Sequence, residues 1–431
     1  MRWLLNPFLL DLIVQNLRLV RLIAAIFIYT AFSVISAPSV ASTALSLDEA
    51  VSVAKTRLDP LLLRHDERVN ALEDQAIAVS QLPDPELQFG FTNWPVESFD
   101  YDQEPMTQIR AGIRQRFPKG KSLVVRGEGK KAEAVTEAAR RALGIAEIVL
   151  ETKRAWYELY YLTFAKEIVQ QSRGAVAELV DVVQASFATG LQNNQDLLRA
   201  ELELSLLDDR ALDIEQRVQQ QSADLARFIG NEANRPIAKE LPVLGSLPTV
   251  DEMHSALVRH PSVAIQDALI AVADSGVRFA EEQYKPGVSL DASYGARGGD
   301  RADFASVMLS VQVPLFPEKR QDKVLRASEQ ERTAAQFERD SVLLELRRQS
   351  LRARASVERL TNRVGLYQNV VINRADGAAI AALDGYQNQV SDFAELIRSR
   401  LSALETTLKL RRLESELGQA HASLDFLMGR P

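Results

Sequence analysis

Apolar and polar positions change their spacing several times along this chain, and the changes come twice in the same order. Leu204, Leu207, Ala211, Ile214, Val218, Leu225 and Phe228 recur at heptad spacing. Steps of three and four predict a helix presenting a narrow seam to neighbouring helices. Leu410, Leu413, Leu417, Ala420, Leu424 and Leu427 repeat that seam near the C-terminus. Elsewhere the period falls to two. Leu87, Phe89 and Phe91 alternate with Gln88, Gly90 and Thr92, and Ile109, Ala111 and Ile113 with Gln108, Arg110, Gly112 and Arg114. In the second half Val288, Leu290, Ala292 and Tyr294 alternate with Ser289, Asp291, Ser293 and Gly295. Val307, Leu309, Val311 and Val313 alternate with Ser306, Ser310 and Gln312. These runs predict two strand pairs, over 87–117 and 288–316.

The two halves share one plan. Pro60 and Pro261, like Pro85 and Pro286, stand 201 residues apart. Phe117 and Phe316, Phe187 and Tyr386, and Gly230 and Gly429 all keep an offset of 199. A period that shifts by only two residues over so many landmarks is the mark of a duplication. Each repeat, 45–246 and 247–431, reads as helix, strand, loop, strand, long helix, tight turn, helix, with hairpin tips near 190 and 386. The long helices lack proline from Gly120 to about Ala188 and from Glu318 to about Leu383, each a length of roughly 100 Å at the helical rise. That exceeds the diameter of an ordinary domain of this size.

Segments of nine or ten alternating residues have the length of transmembrane β-strands, although a half-buried soluble sheet shows the same pattern. Four strands cannot close a barrel, because about eight is the smallest. Either several chains contribute strands or the sheet lies on a soluble core. Arg110, Arg114, Arg116, Asp291 and Arg297 fall opposite the apolar row, where a barrel has its lumen. Trp94, Phe99 and Tyr101, near one strand end, suit either an interfacial girdle or the packing of their own loop.

Arg18 and Arg21 precede an uncharged apolar run, Leu22 to Ile35, followed by Pro38 and the small pairs Ser39/Ala41 and Ser42/Ala44. This reads as an export signal over 1–44 cleaved by a signal peptidase. Ser, Thr, Ala and Pro dilute its second half, which argues against the alternative of an uncleaved anchor. Composition narrows function further. The formal net charge is −7, without the basic footprint of a nucleic-acid binder. With no cysteine there is no disulfide, thiolate metal site, cysteine nucleophile or acylated cysteine.

The export signal, the duplicated helix, strand-pair and helix-pair plan, the long helices, and the endings "LARFIG" and "LDFLMG" resemble the TolC-type outer-membrane efflux family. "LPDPELQFGFTNWPV" followed by "EPMTQIRAGIRQRFPKGK" resembles its CzcC-type heavy-metal resistance branch. The resemblance covers nearly the whole mature chain. It implies a mainly α fold with a β-barrel: a homotrimer whose four strands per chain form a 12-stranded barrel continuing into a helical tunnel. It also implies the outer membrane of a Gram-negative bacterium, its lipid, a periplasmic adaptor and an inner-membrane resistance-nodulation-division pump. The lipid-bearing cysteine of some relatives is missing.

In that family inward-coiled helices carry an acidic constriction at the periplasmic end. By resemblance Glu395, Asp196 and Asp392 are aperture candidates, with Tyr386 and Arg398 as latch partners; Arg110, Arg114 and Asp291 are lumen candidates. A threefold ring of carboxylates favours cations. The plainer reading of the three acids is that they are helix-start residues favoured by the dipole. No catalytic, cofactor or metal set is expected. "RGEGKK" at 126–131 lacks the earlier glycine and the Ser/Thr of a phosphate loop and reads as a basic helix start. The histidines and methionines are dispersed, as suits a conduit that must release its cargo. The chain is therefore expected to be a passive exit duct, not an enzyme, with divalent heavy-metal cations as cargo. Alternatives are a drug, small-molecule or type I secretion duct, or a periplasmic coiled-coil adaptor or scaffold.

Overall fold

A computed structural model of the chain describes residues 44–188 and 193–430. The export signal expected over 1–44, except for its last residue, and the tip residues 189–192 lie outside the described residues.

Each half opens with two helices where the sequence suggested one. Ser46 caps α1 (Leu47–Thr56) by accepting from the Glu49 amide, and Asp59 caps α2 (Pro60–Val79) through the Leu61 amide. Proline at the first position of α2 forfeits an N–H that has no helical partner anyway, so it ends one helix and starts the next. The same device separates the later pair, which we label α5 (Val250–Leu257) and α6 (Pro261–Glu282), with His260 as the cap before Pro261.

The strands are β1 (Glu86–Thr92), β2 (Gln108–Phe117), β3 (Gly287–Arg297) and β4 (Phe304–Gln312). They form one antiparallel sheet in the order β1-β2-β3-β4, so the two halves share it. Most cross-strand rows keep like with like, the exceptions including Met308 opposite Asp291 and Gln115 opposite Leu290. Leu87, Ile113, Ala292 and Val307 make one row, and Gln88, Gly112, Ser293 and Ser306 the next. The sheet therefore has one apolar and one polar face, and the apolar face is bare: Phe89 is 80% exposed. Within the chain, β1 and β4 each pair on one side only.

From β2 the chain enters α3 (Ser122–Ala188), 67 residues and roughly 100 Å long. It returns along α4 (Asn194–Ile229). The second half repeats this at an offset of 199, but its long helix is interrupted. α7 (Gln321–Leu366) passes through one π turn, Tyr367–Val371, into α8 (Ile372–Gln387), and α9 (Phe393–Leu427) returns. Both return helices end at a glycine with positive φ, Gly230 (64°) and Gly429 (63°), a left-handed backbone that any other residue would strain.

Of the heptad positions, Leu207, Ile214, Leu225, Leu413, Leu417, Leu424 and Leu427 are buried, and Leu204, Ala211, Val218, Phe228, Leu410 and Ala420 are half-buried against them. Trp156, Tyr157 and Tyr160 of α3 form the centre of the first-half core with Leu45, Leu225 and Ile229. The indole of Trp156 donates to the Leu45 carbonyl at 2.9 Å. The "RGEGKK" glycines let α3 pack closely on α2 and α6: a Cβ on Gly127 would run into Ser80 Oγ, and one on Gly129 would meet Ser275 Oγ at 2.8 Å.

Candidate conduit sites

At the ends of the hairpins, two equivalent turns start the return helices. Asn193 caps α4, its side chain accepting from the Asp196 amide at 2.9 Å. Asp392 caps α9, accepting from the Glu395 amide at 2.8 Å. Both pairs satisfy amides that a helix start leaves open. Asp196 and Glu395 therefore occupy the same place in the two repeats, in the first turn where the helix dipole favours a carboxylate. Within one chain, the Glu395 carboxylate also takes a hydrogen bond from Arg398 at 2.5 Å. Arg398 remains largely exposed. The Tyr386 ring stands edge-on to Phe393, 5.9 Å between centroids. Phe393 and Ile397 are buried with Val183 and Ala200, fastening the two hairpins side by side near their tips. Acids, tyrosine and arginine thus share one end of the helical bundle.

Sequence reasoning missed a groove beside these tips, of about 500 Å³, between α3 and α9. Ser172, Leu179, Val182, Arg400 and Thr407 are among its lining residues, and Arg400 Nε is buried without a hydrogen-bond partner. Its walls come from helices more than two hundred residues apart, so no local pattern announces it.

The second region is the polar face of the sheet. Asp291 on β3 is only 5% exposed and sits between two arginines of β2. Arg114 Nε lies 3.1 Å from Asp291 Oδ2, and Arg110 Nη2 lies 3.6 Å from Oδ1. Arg110 Nε donates to Ser293 at 2.8 Å. Oδ1 of Asp291 accepts no hydrogen bond. Gln88, with its amide turned to suit both neighbours, joins Asp291 to Arg114. The structure thus brings Arg110, Arg114 and Asp291 into one cluster, and adds Gln88 and Ser293, which period-two spacing already placed on that face. Arg116 pairs with Glu86 at 2.8 Å, whereas Arg297 bonds carbonyls of the loops. Trp94 packs on Phe91 and Tyr101, and the Tyr101 hydroxyl donates to the Ala296 carbonyl, so these two hold the loop; Phe99 is exposed.

His65 and Glu137 form a buried pair between α2 and α3, at 2.7 Å. Burial opposes ionisation of Glu137, but hydrogen bonds from His65 and Arg140 hold its carboxyl below the ordinary range. Burial pushes the His260 imidazole below its ordinary pKa, and its Nδ1 accepts from the Ser262 amide. Among the described residues no three His, Asp or Glu side chains gather as a metal site. None of the described helices is long and apolar enough to cross a membrane.

Neither a family model nor a curated protein matches the chain. Solved structures do match in fold. The outer membrane protein VceC of Vibrio cholerae is 19% identical, covers 89% of this chain and 96% of its own, and superposes with a TM-score of 0.72. CusC, described by its transmembrane channel formation, gives 14% identity, coverage of 89% and 92%, and a TM-score of 0.75. The open-state outer membrane channel MtrE of Neisseria gonorrhoeae gives 14%, 89% and 88%, and 0.71. The chain shares the fold of these channels, long helical hairpins joined to a four-stranded antiparallel sheet.

Proposed function

We propose that the protein is the outer-membrane exit duct of a tripartite export system, acting as a homotrimer and performing no catalysis. The carrying observation is the sheet: two-faced, bare on its apolar side and open at both edges. A four-stranded sheet cannot enclose a lumen, and lipid tolerates no open edge, so further copies must complete the barrel, and the TolC-type resemblance implies three copies and twelve strands. The helices support the same closure. Phe337 and Leu344 on α7 are each 68% exposed and stand one heptad apart, with Leu351 following. Ile77 on α2 is 63% exposed. A neighbouring copy would cover both surfaces.

In this reading the polar face lines the barrel and the helical hairpins form a periplasmic tunnel. Glu395, Asp196 and Asp392 line its end, with Tyr386 and Arg398 bridging between helices. A periplasmic adaptor docks at the same tips, and an inner-membrane resistance-nodulation-division pump supplies the energy. The cargo we assign is divalent heavy-metal cations, on the CzcC-like segments around β1 and β2; drugs, small molecules or secreted proteins are the competing cargo. Purified protein in a planar bilayer should open discrete conductance steps. Absence of conductance with a soluble monomer would favour the coiled-coil adaptor or scaffold instead. A deletion strain with normal metal tolerance would remove metals as cargo and leave the duct standing.

A further inference from the structure

Resting on the outer-membrane reading of the sheet, we infer that the rim where strands meet helices is a docking collar for anionic phospholipid headgroups. β2 and β4 both leave the sheet at this end, and each runs into a Phe-Pro step beyond which lysine and arginine outnumber the acids, Glu318 and Asp322 in the second half. Phe117 leads to Lys119 and Lys121; Phe316 leads to Lys319, Arg320 and Lys323. The duplication places Lys121 opposite Arg320 in the plan, so a basic residue recurs at the same distance from both Phe-Pro steps. Lys285 precedes β3 at the same rim. Lys119 Nζ donates to the Gln283 carbonyl at 3.2 Å, and Glu282 accepts from the Lys121 amide at 2.6 Å and from Lys285 Nζ at 2.6 Å. The turn after β2 and the turn before β3 are thereby joined into one surface.

Much of this positive charge is uncommitted. Lys121, Lys319, Arg320 and Lys323 are exposed. The last three make no ion pair within 4.0 Å among the described residues. Immediately beside them the apolar face ends in bare side chains: Phe316 is 86% exposed, Leu315 71% and Val313 59%. Phe117 continues that face through its row with Val288 and Val311. Aromatic and aliphatic groups followed by lysine and arginine suit the boundary between acyl chains and headgroups, where the long side chains reach outward to phosphate. The opposite end of the sheet has the opposite sign. Its loops carry Glu97, Asp102, Glu104 and Asp300. A zwitterionic headgroup offers a phosphate but no net charge, so the collar's surplus favours a phosphatidylglycerol-like lipid, and salt weakens the preference.

The test is the lipid selectivity of the full chain reconstituted in phosphatidylcholine, read by electron spin resonance of trace spin-labelled phosphatidylglycerol or phosphatidylcholine. The motionally restricted lipid fraction should favour phosphatidylglycerol roughly threefold or more. The variant K121Q/K319Q/R320Q/K323Q should bring the ratio to unity while keeping a restricted fraction, which reports that it remains embedded. A ratio of one in the unaltered protein with restricted lipid present overturns the collar alone. Absence of any restricted lipid overturns the barrel reading beneath it. Replacing chloride by inorganic phosphate at equal ionic strength should leave the ratio unchanged; selective displacement by phosphate would make this a free-anion site and overturn the proposal.

Discussion

Arg114 and Asp291 face each other across the β2–β3 ladder, with Nε 3.1 Å from Oδ2, although their codons lie in different repeats. The pair is therefore a joint between the two halves of the duplication. Asp291→Ala leaves Arg110 without its acidic partner and Arg114 with only Glu86, 3.9 Å away. Their partly exposed guanidinium groups keep some solvent, so the cost should be about 1–3 kcal/mol, below the range for a fully buried pair. The freed positive charge should also shift bilayer selectivity toward anions. Denaturant midpoints and reversal potentials check both, and Arg114→Ala in the same background should recover part of the stability.

Glu395 carries the aperture reading. Charge reversal, Glu395→Lys, should lower the cation preference of single channels by about threefold or more if three such residues ring the tunnel end. Unchanged conductance and selectivity would return Glu395 to the plainer role its geometry also supports, a first-turn acid bonded to Arg398.

Gly418 is a contact point that no charge or motif marks. A Cβ there would lie 2.2 Å from the ring of Tyr157, which is itself buried against Trp156. Gly418→Ala should destabilise by about 1–3 kcal/mol through overpacking. Gly377→Ala, in α8 with nothing within 4 Å of the added carbon, should stabilise by about 0.5–1 kcal/mol through helix propensity. Thermal unfolding of the two variants should move in opposite directions.

This contrast shows what spacing along the chain conveys. The seams at Leu207 to Leu225 and Leu413 to Leu427 and the strand faces were legible because period is a local property of the chain. So was the shared face of Arg110, Arg114 and Asp291, since period two fixes the face; their pairing depends on the β2–β3 register. The contact of Gly418 with Tyr157, the His65–Glu137 pair and the π turn at Tyr367–Val371 were not. The first two depend on how two helices distant in sequence set their mutual rotation and height. The second helix after Pro60 and after Pro261 was readable in principle, because Asp59 and His260 stand directly before a proline at N1.

Acid should expose another inter-element joint. Hydrogen bonding from Arg227, opposed by burial and aided by the Leu61 amide, holds the Asp59 carboxyl below its ordinary 3.8. A lowered folded value means the stabilisation is full above the unfolded pKa and is lost as pH falls through the folded one. Melting temperature should therefore fall between about pH 5 and pH 2, and Asp59→Asn should fall less steeply over that window. At neutral pH that variant should already be less stable, by about 1 kcal/mol, since Arg227 is half exposed. Parallel acid limbs in the two proteins would contradict the assignment.

Everything above the single chain rests on closure of the sheet by three copies. Native mass measurement of the protein extracted from the outer-membrane fraction tests that directly. The expected result is a complex of three chains, lost when Phe337→Asp and Leu344→Asp place charge on the exposed heptad of α7 while the helical signal of the monomer persists. A single chain recovered from the soluble fraction, unaffected by those substitutions, would contradict the account.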